Sequence, residues 1–143
     1  MMIDVDETGT TSDNGNGRKT VLVVEDSRTI RHVLRVLLEG EGYDVITAAD
    51  GAQGLDLARR LRPHVVTLDL ALPDLDGRDV LRQLKSDEMT RRIPVVVISA
   101  YAAALTPGER WYADEVMAKP FDVEDLLACL QRAIKRYDGE DAA

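Results

Sequence analysis

Five side chains with chemical capacity stand where short apolar runs end. Val21-Leu22-Val23-Val24 leads into Glu25-Asp26, and Val65-Val66-Thr67-Leu68 into Asp69. Val95-Val96-Val97-Ile98 leads into Ser99, and the stretch Asp114 to Ala118 into Lys119. Taken singly, each has a plain role: Glu25-Asp26-Ser27 as a helix cap, Asp69 as a loop carboxylate, Ser99 as turn chemistry, Lys119 as a solvated charge. Brought to one place they become something else. Three carboxylates against one ammonium leave an excess of negative charge that a cation would relieve. Hard oxygen donors with few dedicated protein contacts suit Mg²⁺, which keeps several waters and shares its shell with phosphate.

Whether they meet depends on the elements between them. Continuous β-branched runs mark strands covered on both faces. After the first, Ile30, Val33, Leu34, Leu37 and Leu38 recur at helical spacing, predicting a helix capped at Asp26 or Ser27 and stopped near Gly40 or Gly42. Tyr43 to Ala48 reads as a second strand and Gln53 to Leu61 as a second helix. The arginines at its end, Arg59, Arg60 and Arg62, complement the helix dipole. A third helix follows the turn Asp76-Gly77 and carries Val80, Leu81 and Leu84. Thr106-Pro107-Gly108-Glu109 has the form of a capping box with Pro at the first helical position, and predicts a short fourth helix. A weaker fifth strand spans Asp114 to Ala118, and the last helix lines up Leu126, Leu127, Leu130, Ala133, Ile134 and Tyr137, with Cys129 among them. Strands alternating with helices predict an α/β, doubly wound, five-stranded parallel sheet with helices on both faces and its site beyond the carboxyl ends of the strands.

The chain has 143 residues, of which 45% are hydrophobic and 31% charged, which fits one soluble domain. One Cys and two distant histidines, His32 and His64, exclude a disulfide framework and a structural zinc site. There is neither an apolar run long enough to span a membrane nor a signal peptide, so a cytoplasmic protein without membrane contact is expected. The net charge of −8 is concentrated at the ends, in Asp4, Asp6, Glu7 and Asp13 and in Asp138, Glu140 and Asp141. Residues 1–17 therefore read as a disordered acidic leader, 18–138 as the folded domain and 139–143 as an acidic tail.

The motifs Val21-Leu22-Val23-Val24-Glu25-Asp26-Ser27, Leu68-Asp69-Leu70-Ala71-Leu72-Pro73-Asp74-Leu75-Asp76-Gly77, Ile98-Ser99-Ala100 and Lys119-Pro120-Phe121, in this order, resemble the receiver domain of two-component response regulators. The resemblance runs from about Arg18 to Tyr137 and implies a flavodoxin-like strand order of 2-1-3-4-5. It also implies that Asp69 is the phosphoacceptor, with a phosphohistidine on a sensor histidine kinase or histidine phosphotransfer protein as donor. Glu25, Asp26, Asp69 and the backbone carbonyl of Ala71 would hold Mg²⁺ directly or through water. Ser99 would donate its hydroxyl to the phosphoryl group, and Lys119 would pair with the phosphoryl group or with Asp69. Lys119-Pro120 would be a cis peptide. Such a protein is not an enzyme in the ordinary sense, since it catalyses only its own phosphoryl transfer and dephosphorylation. It signals by phosphorylation-dependent binding of a downstream protein target or by phosphorelay, and a weak homodimer is compatible with it.

The pattern departs from the family near the fourth helix. Val116 stands where many receivers carry an aromatic that swings inward on activation, the interval from Ser99 to Lys119 is about two residues short, and Tyr112-Ala113 replaces the usual small pair. Tyr101, Trp111 and Tyr112 are then the aromatics available to a switch. Among rivals, a flavin phosphate would be repelled by Glu25-Asp26, and a haloacid-dehalogenase phosphatase would need an Asp where Ala71 stands. Direct DNA binding is not expected, because only Asp138 to Ala143 follow the last helix. The remaining alternative is a receiver-like protein-interaction module that works independently of phosphorylation.

Overall fold

A computed structural model describes residues 17–142, with side chains described as far as Arg136. Its strands are β1 (Thr20–Val24), β2 (Asp44–Ala48), β3 (Val65–Leu68), β4 (Val95–Ser99) and β5 (Glu115–Ala118). Between and after them run α1 (Arg28–Gly40), α2 (Gly51–Leu61), α3 (Gly77–Ser86), α4 (Pro107–Tyr112) and α5 (Val123–Ala142). All strand pairs are parallel and the order is β2-β1-β3-β4-β5, with Val21 of β1 opposite both Val45 and Val65.

The unbroken apolar strands follow from this topology, because alternate side chains enter opposite layers. Leu22, Val24, Val66, Leu68, Val95 and Val97 pack with Leu55 and Ala58 of α2 and with Val80, Leu81 and Leu84 of α3. Val21, Val23, Val65, Val96 and Ile98 pack with Leu34 and Leu38 of α1 and with Leu126, Leu130 and Ala133 of α5. Cys129 is buried in this second layer.

Several boundaries differ from the sequence expectation. Val33 is 44% exposed, because only the i, i+4 row Leu34–Leu38 of α1 is fully covered. Tyr43 precedes β2, since the ladder begins where Thr20 pairs with Asp44. α2 starts at Gly51 because Asp50 caps it, its carboxylate accepting the Gln53 N–H at 2.8 Å. Asp114 lies just before β5, and α5 continues through residues 139–142, which were expected as a tail. The capping box is present: Thr106 Oγ1 accepts the Glu109 N–H at 3.1 Å and Glu109 Oε1 accepts the Thr106 N–H at 2.9 Å. Residues 1–16 of the leader and the side chain of Tyr137 lie outside the described residues. Among the described residues, no helix is long and apolar enough to cross a membrane.

At the edge of the sheet where the strands begin, Lys85 Nζ donates to Asp114 Oδ2 at 2.8 Å and to the Ile93 carbonyl at 2.9 Å. Asp114 Oδ2 also accepts the Val95 N–H at 2.7 Å, and both side chains of the pair are less than a tenth exposed. The pair joins α3 to the start of β4 and β5. Removing Asp114 takes away the buried carboxylate that the Lys85 ammonium and the Val95 N–H share. Asp114→Ala is expected to lower stability by roughly 3 kcal/mol, read as a lower urea midpoint at unchanged slope.

Candidate functional site

Because every strand runs the same way, the residues that follow β1, β3, β4 and β5 share one edge of the sheet. The ladder extends one step into them. The Glu25 N–H donates to the Ala48 carbonyl, the Asp69 N–H to the Val24 carbonyl and the Lys119 N–H to the Ser99 carbonyl, at 3.0, 3.0 and 3.2 Å. Glu25, Asp69 and Lys119 are thus held at their backbones by the neighbouring strand.

Lys119 Nζ donates to Glu25 Oε1 at 2.6 Å and to Asp69 Oδ2 at 3.1 Å, across 94 and 50 residues of sequence. Glu25 and Asp69 are buried, Lys119 is half-buried and Asp26 is exposed. One carboxylate oxygen from each of Glu25, Asp26 and Asp69 lies within 4.8 Å of the others. Burial pushes the Glu25 carboxyl above its ordinary value of 4.5; hydrogen bonds from Lys119 and the Ser27 N–H recover only part of this, and the Asp69 charge adds to it. Burial by itself would lower the Lys119 ammonium, but hydrogen bonds to Glu25 and Asp69 more than reverse that and hold it protonated.

The loop after β3 is fixed from several sides. The Ala71 N–H donates to Asp69 Oδ1 at 3.2 Å, and Ala71 forms an isolated antiparallel bridge with Asp76. Asp74 accepts the N–H groups of Gly51 and Ala52 at 2.8 and 2.9 Å, which ties the loop to the amino end of α2. Those two bonds hold its carboxyl below the usual range. The Gly77 N–H donates to the Leu70 carbonyl at 3.0 Å, and a Cβ at Gly77 would stand 2.4 Å from Leu70 Cα. Only glycine lets α3 begin so close to the backbone that follows Asp69.

The structure brings together Glu25, Asp26, Asp69 and Lys119, with the Ala71 backbone alongside. Ser99 is fully buried at the end of β4, and its hydroxyl accepts the Tyr101 N–H at 3.1 Å. Lys119-Pro120 is cis. Of the expected switch residues, Val116 is half-buried against the α2–α3 layer, Tyr101 is 62% exposed and Trp111 87% exposed. Sequence reasoning missed the loop-fixing part of Asp74, the contact at Gly77, and Arg31, whose Nη1 donates to the carbonyls of Glu25 and Asp26 at 2.8 and 2.9 Å. Asp74 and Gly77 did carry a signal, the turn residues Pro73-Asp74 and Asp76-Gly77 directly before a helix. The arrangement gathers hard oxygen donors around one fixed cation at an open edge, which suits a divalent ion and an anionic group approaching Asp69.

A family model described as the response regulator receiver domain matches residues 21–131. The DNA-binding dual master transcriptional regulator RpaA of Synechocystis is 38% identical over 120 residues, covering 82% of this chain and 50% of that protein. The DNA-binding response regulator MtrA of Mycobacterium tuberculosis is 36% identical over 127 residues, covering 87% of this chain and 54% of its own length. The chain spans about half the length of these curated relatives. The crystal structure of a sensor protein from Polaromonas is similar with a TM-score of 0.79 and 32% identity, covering 84% of this chain and 98% of that one. The receiver domain of a sensor histidine kinase from Pseudomonas aeruginosa, described with a magnesium ion coordinated in its active site cleft, has a TM-score of 0.73 and 32% identity, covering 82% and 98%.

The raised Glu25 carboxyl has a measurable consequence. A carboxyl whose folded pKa exceeds its unfolded value binds its proton more tightly in the folded chain, so its ionisation costs stability at neutral pH and that cost fades as the pH falls. Glu25→Gln is expected to be more stable than the parent chain at pH 7 with chelator present. The difference should close as the pH falls through the Glu25 titration toward 4.5, read from urea midpoints of both chains over that range.

Proposed function

Since the chain belongs to the response regulator receiver domain family, we propose that it accepts a phosphoryl group on Asp69 and signals through the change that follows. The observation that supports this most directly is the Lys119 ammonium shared between Glu25 and Asp69, with the Asp26 carboxylate within 4.8 Å. The donor is a phosphohistidine on a sensor histidine kinase or a histidine phosphotransfer protein. An Asp69 oxygen attacks phosphorus, the phosphorus–nitrogen bond breaks, the imidazole keeps the electron pair and takes up a proton, and an acyl phosphate remains on Asp69.

Mg²⁺ fits the donor set, which is made of hard carboxylate oxygens. Asp26, Asp69 and the Ala71 carbonyl would hold it. Glu25 would contribute through water, since its two oxygens already accept from Lys119 and from the Ser27 N–H. When bound, the ion neutralises charge on the transferring group and orients it. Lys119 screens the repulsion between the Asp69 carboxylate and the incoming anion. The Ser99 hydroxyl donates to a phosphoryl oxygen, and because the same oxygen accepts the Tyr101 N–H, a shift of that side chain is felt at Tyr101. The change then passes into the segment Tyr101 to Tyr112 and from there to a downstream protein target.

Two measurements test this reading. Incubated with a small-molecule phosphodonor and Mg²⁺, the wild-type chain should gain one phosphoryl group by intact mass and Asp69→Asn none. Exchange protection of residues 101–112 should change only in the labelled chain. Full labelling with unchanged protection there would favour the interaction module that ignores its own phosphate. Separately, Mg²⁺ should raise the melting temperature by binding the folded state, while Asp26→Asn should raise that of the metal-free chain and weaken the response to Mg²⁺. A melting temperature indifferent to saturating Mg²⁺ would remove the ion from the site.

A further inference from the structure

From the contacts of α1 we infer that Arg31 is a positioning residue that sets the divalent-cation affinity of the carboxylate cluster; this rests on the Mg²⁺ reading above. The corner between β1 and α1 carries two of the three carboxylates, and its backbone is neither strand nor helix. The Glu25 N–H is taken by Ala48 of β2, the Ser27 N–H by the Glu25 carboxylate, and the Ser27 carbonyl by the Arg31 N–H that opens the helix. The carbonyls of Glu25 and Asp26 fall between the ladder and the helix. A single guanidinium nitrogen, Arg31 Nη1, donates to both, at 2.8 and 2.9 Å. The side chain reaches back from the first turn of α1 over the corner and locks the two peptide units whose carboxylates face the site edge.

The sign of the effect separates this role from a general charge effect. A cation near a metal site repels a divalent ion, so removing Arg31 would tighten Mg²⁺ binding if charge alone mattered. Loss of the lock frees the corner and weakens binding, because ligands held in place by outer contacts lose affinity when those contacts go. Arg35, one turn further along α1, supplies the control: it pairs with Glu39 at 3.7 Å and donates to Thr47 at 3.3 Å, away from the corner.

The test is calorimetric titration of Mg²⁺ into the full chain at about 0.15 M salt, where charge effects beyond about 8 Å are screened. Arg31→Met should bind roughly tenfold more weakly than wild type, with faster amide exchange at residues 25–27. Arg31→Lys should recover part of the loss, and Arg35→Met should match wild type. An Arg31→Met chain that folds and binds Mg²⁺ as tightly as wild type, or more tightly, overturns the inference. Should Arg31→Met fail to fold, Arg31→Lys decides: a few-fold loss supports the lock and undiminished affinity counts against it. If the wild-type chain takes up no Mg²⁺ at all, the metal reading fails and the inference falls with it, an outcome distinct from the others.

Discussion

Glu25 and Asp69 repel each other across less than 5 Å of largely buried space, and the Lys119 ammonium lies within hydrogen-bond distance of both. At that separation and an effective dielectric constant of about 20, two like charges cost roughly 3 kcal/mol. A domain of this size is stable by only about 5–15 kcal/mol, so the repulsion is a sizeable fraction of the whole. The Lys119 ammonium, bonded to both carboxylates, offsets that repulsion, while burial, ahead of the Asp69 charge, is what raises the Glu25 carboxyl. A site left in this condition is responsive to whatever positive charge arrives next, and Asp26 at its exposed side adds to the demand.

The scaffold makes that crowding tolerable by removing freedom elsewhere. Parallel strands joined by crossovers deliver their ends to one edge, whatever the sequence separation, and the last ladder bonds fix the backbone at Glu25, Asp69 and Lys119. What the ladder leaves open is closed from the helices. Arg31 holds the corner after β1 and Asp74 ties the loop after β3 to α2, while Gly77 lets α3 start against the backbone of Leu70. Two buried layers beneath, built from the alternate residues of the same strands, keep those helices where they are. The charged edge and the apolar core are therefore consequences of the same short runs.

Those runs are also why so much was legible in the sequence. A strand buried on both faces has no choice but to be apolar throughout, and its end is marked by the first polar residue, which here is the residue that carries the chemistry. Glu25, Asp69 and Ser99 could be found that way, whereas Lys119 follows a partly buried fifth strand that begins at Glu115, and the strand order came from the family resemblance. Helix faces were less legible: Val33 has the spacing of a core residue, yet it lies beyond the row that α1 presents to the sheet. The outer supports were the least legible. Arg31 and Asp74 look like solvated charges along the chain, and their partners are backbone groups of other segments, which no side-chain pattern encodes. Gly77 read as a turn; that it abuts Leu70 depends on how α3 docks.

The same distinction bears on the region where the family pattern is broken. Val116 packs half-buried against the layer formed by α2 and α3, so an inward aromatic swing has no side chain to perform it. The Ser99 hydroxyl, however, is hydrogen-bonded to the Tyr101 N–H, and the Tyr101 ring borders a hollow of about 450 Å³ that Leu70, Leu72, Leu75 and Leu105 also line. Leu70 directly follows Asp69, so that hollow is walled on one side by the loop that bears the carboxylate and on another by the segment that leads to α4. Under the proposed reading, a hydroxyl drawn toward a phosphoryl group pulls on the Tyr101 N–H bonded to it as the Asp69 loop takes on new charge. Both walls are then altered together. A polar bond between main chain and hydroxyl, beside an apolar hollow, thus offers a route from the carboxylates to α4 that does not pass through Val116.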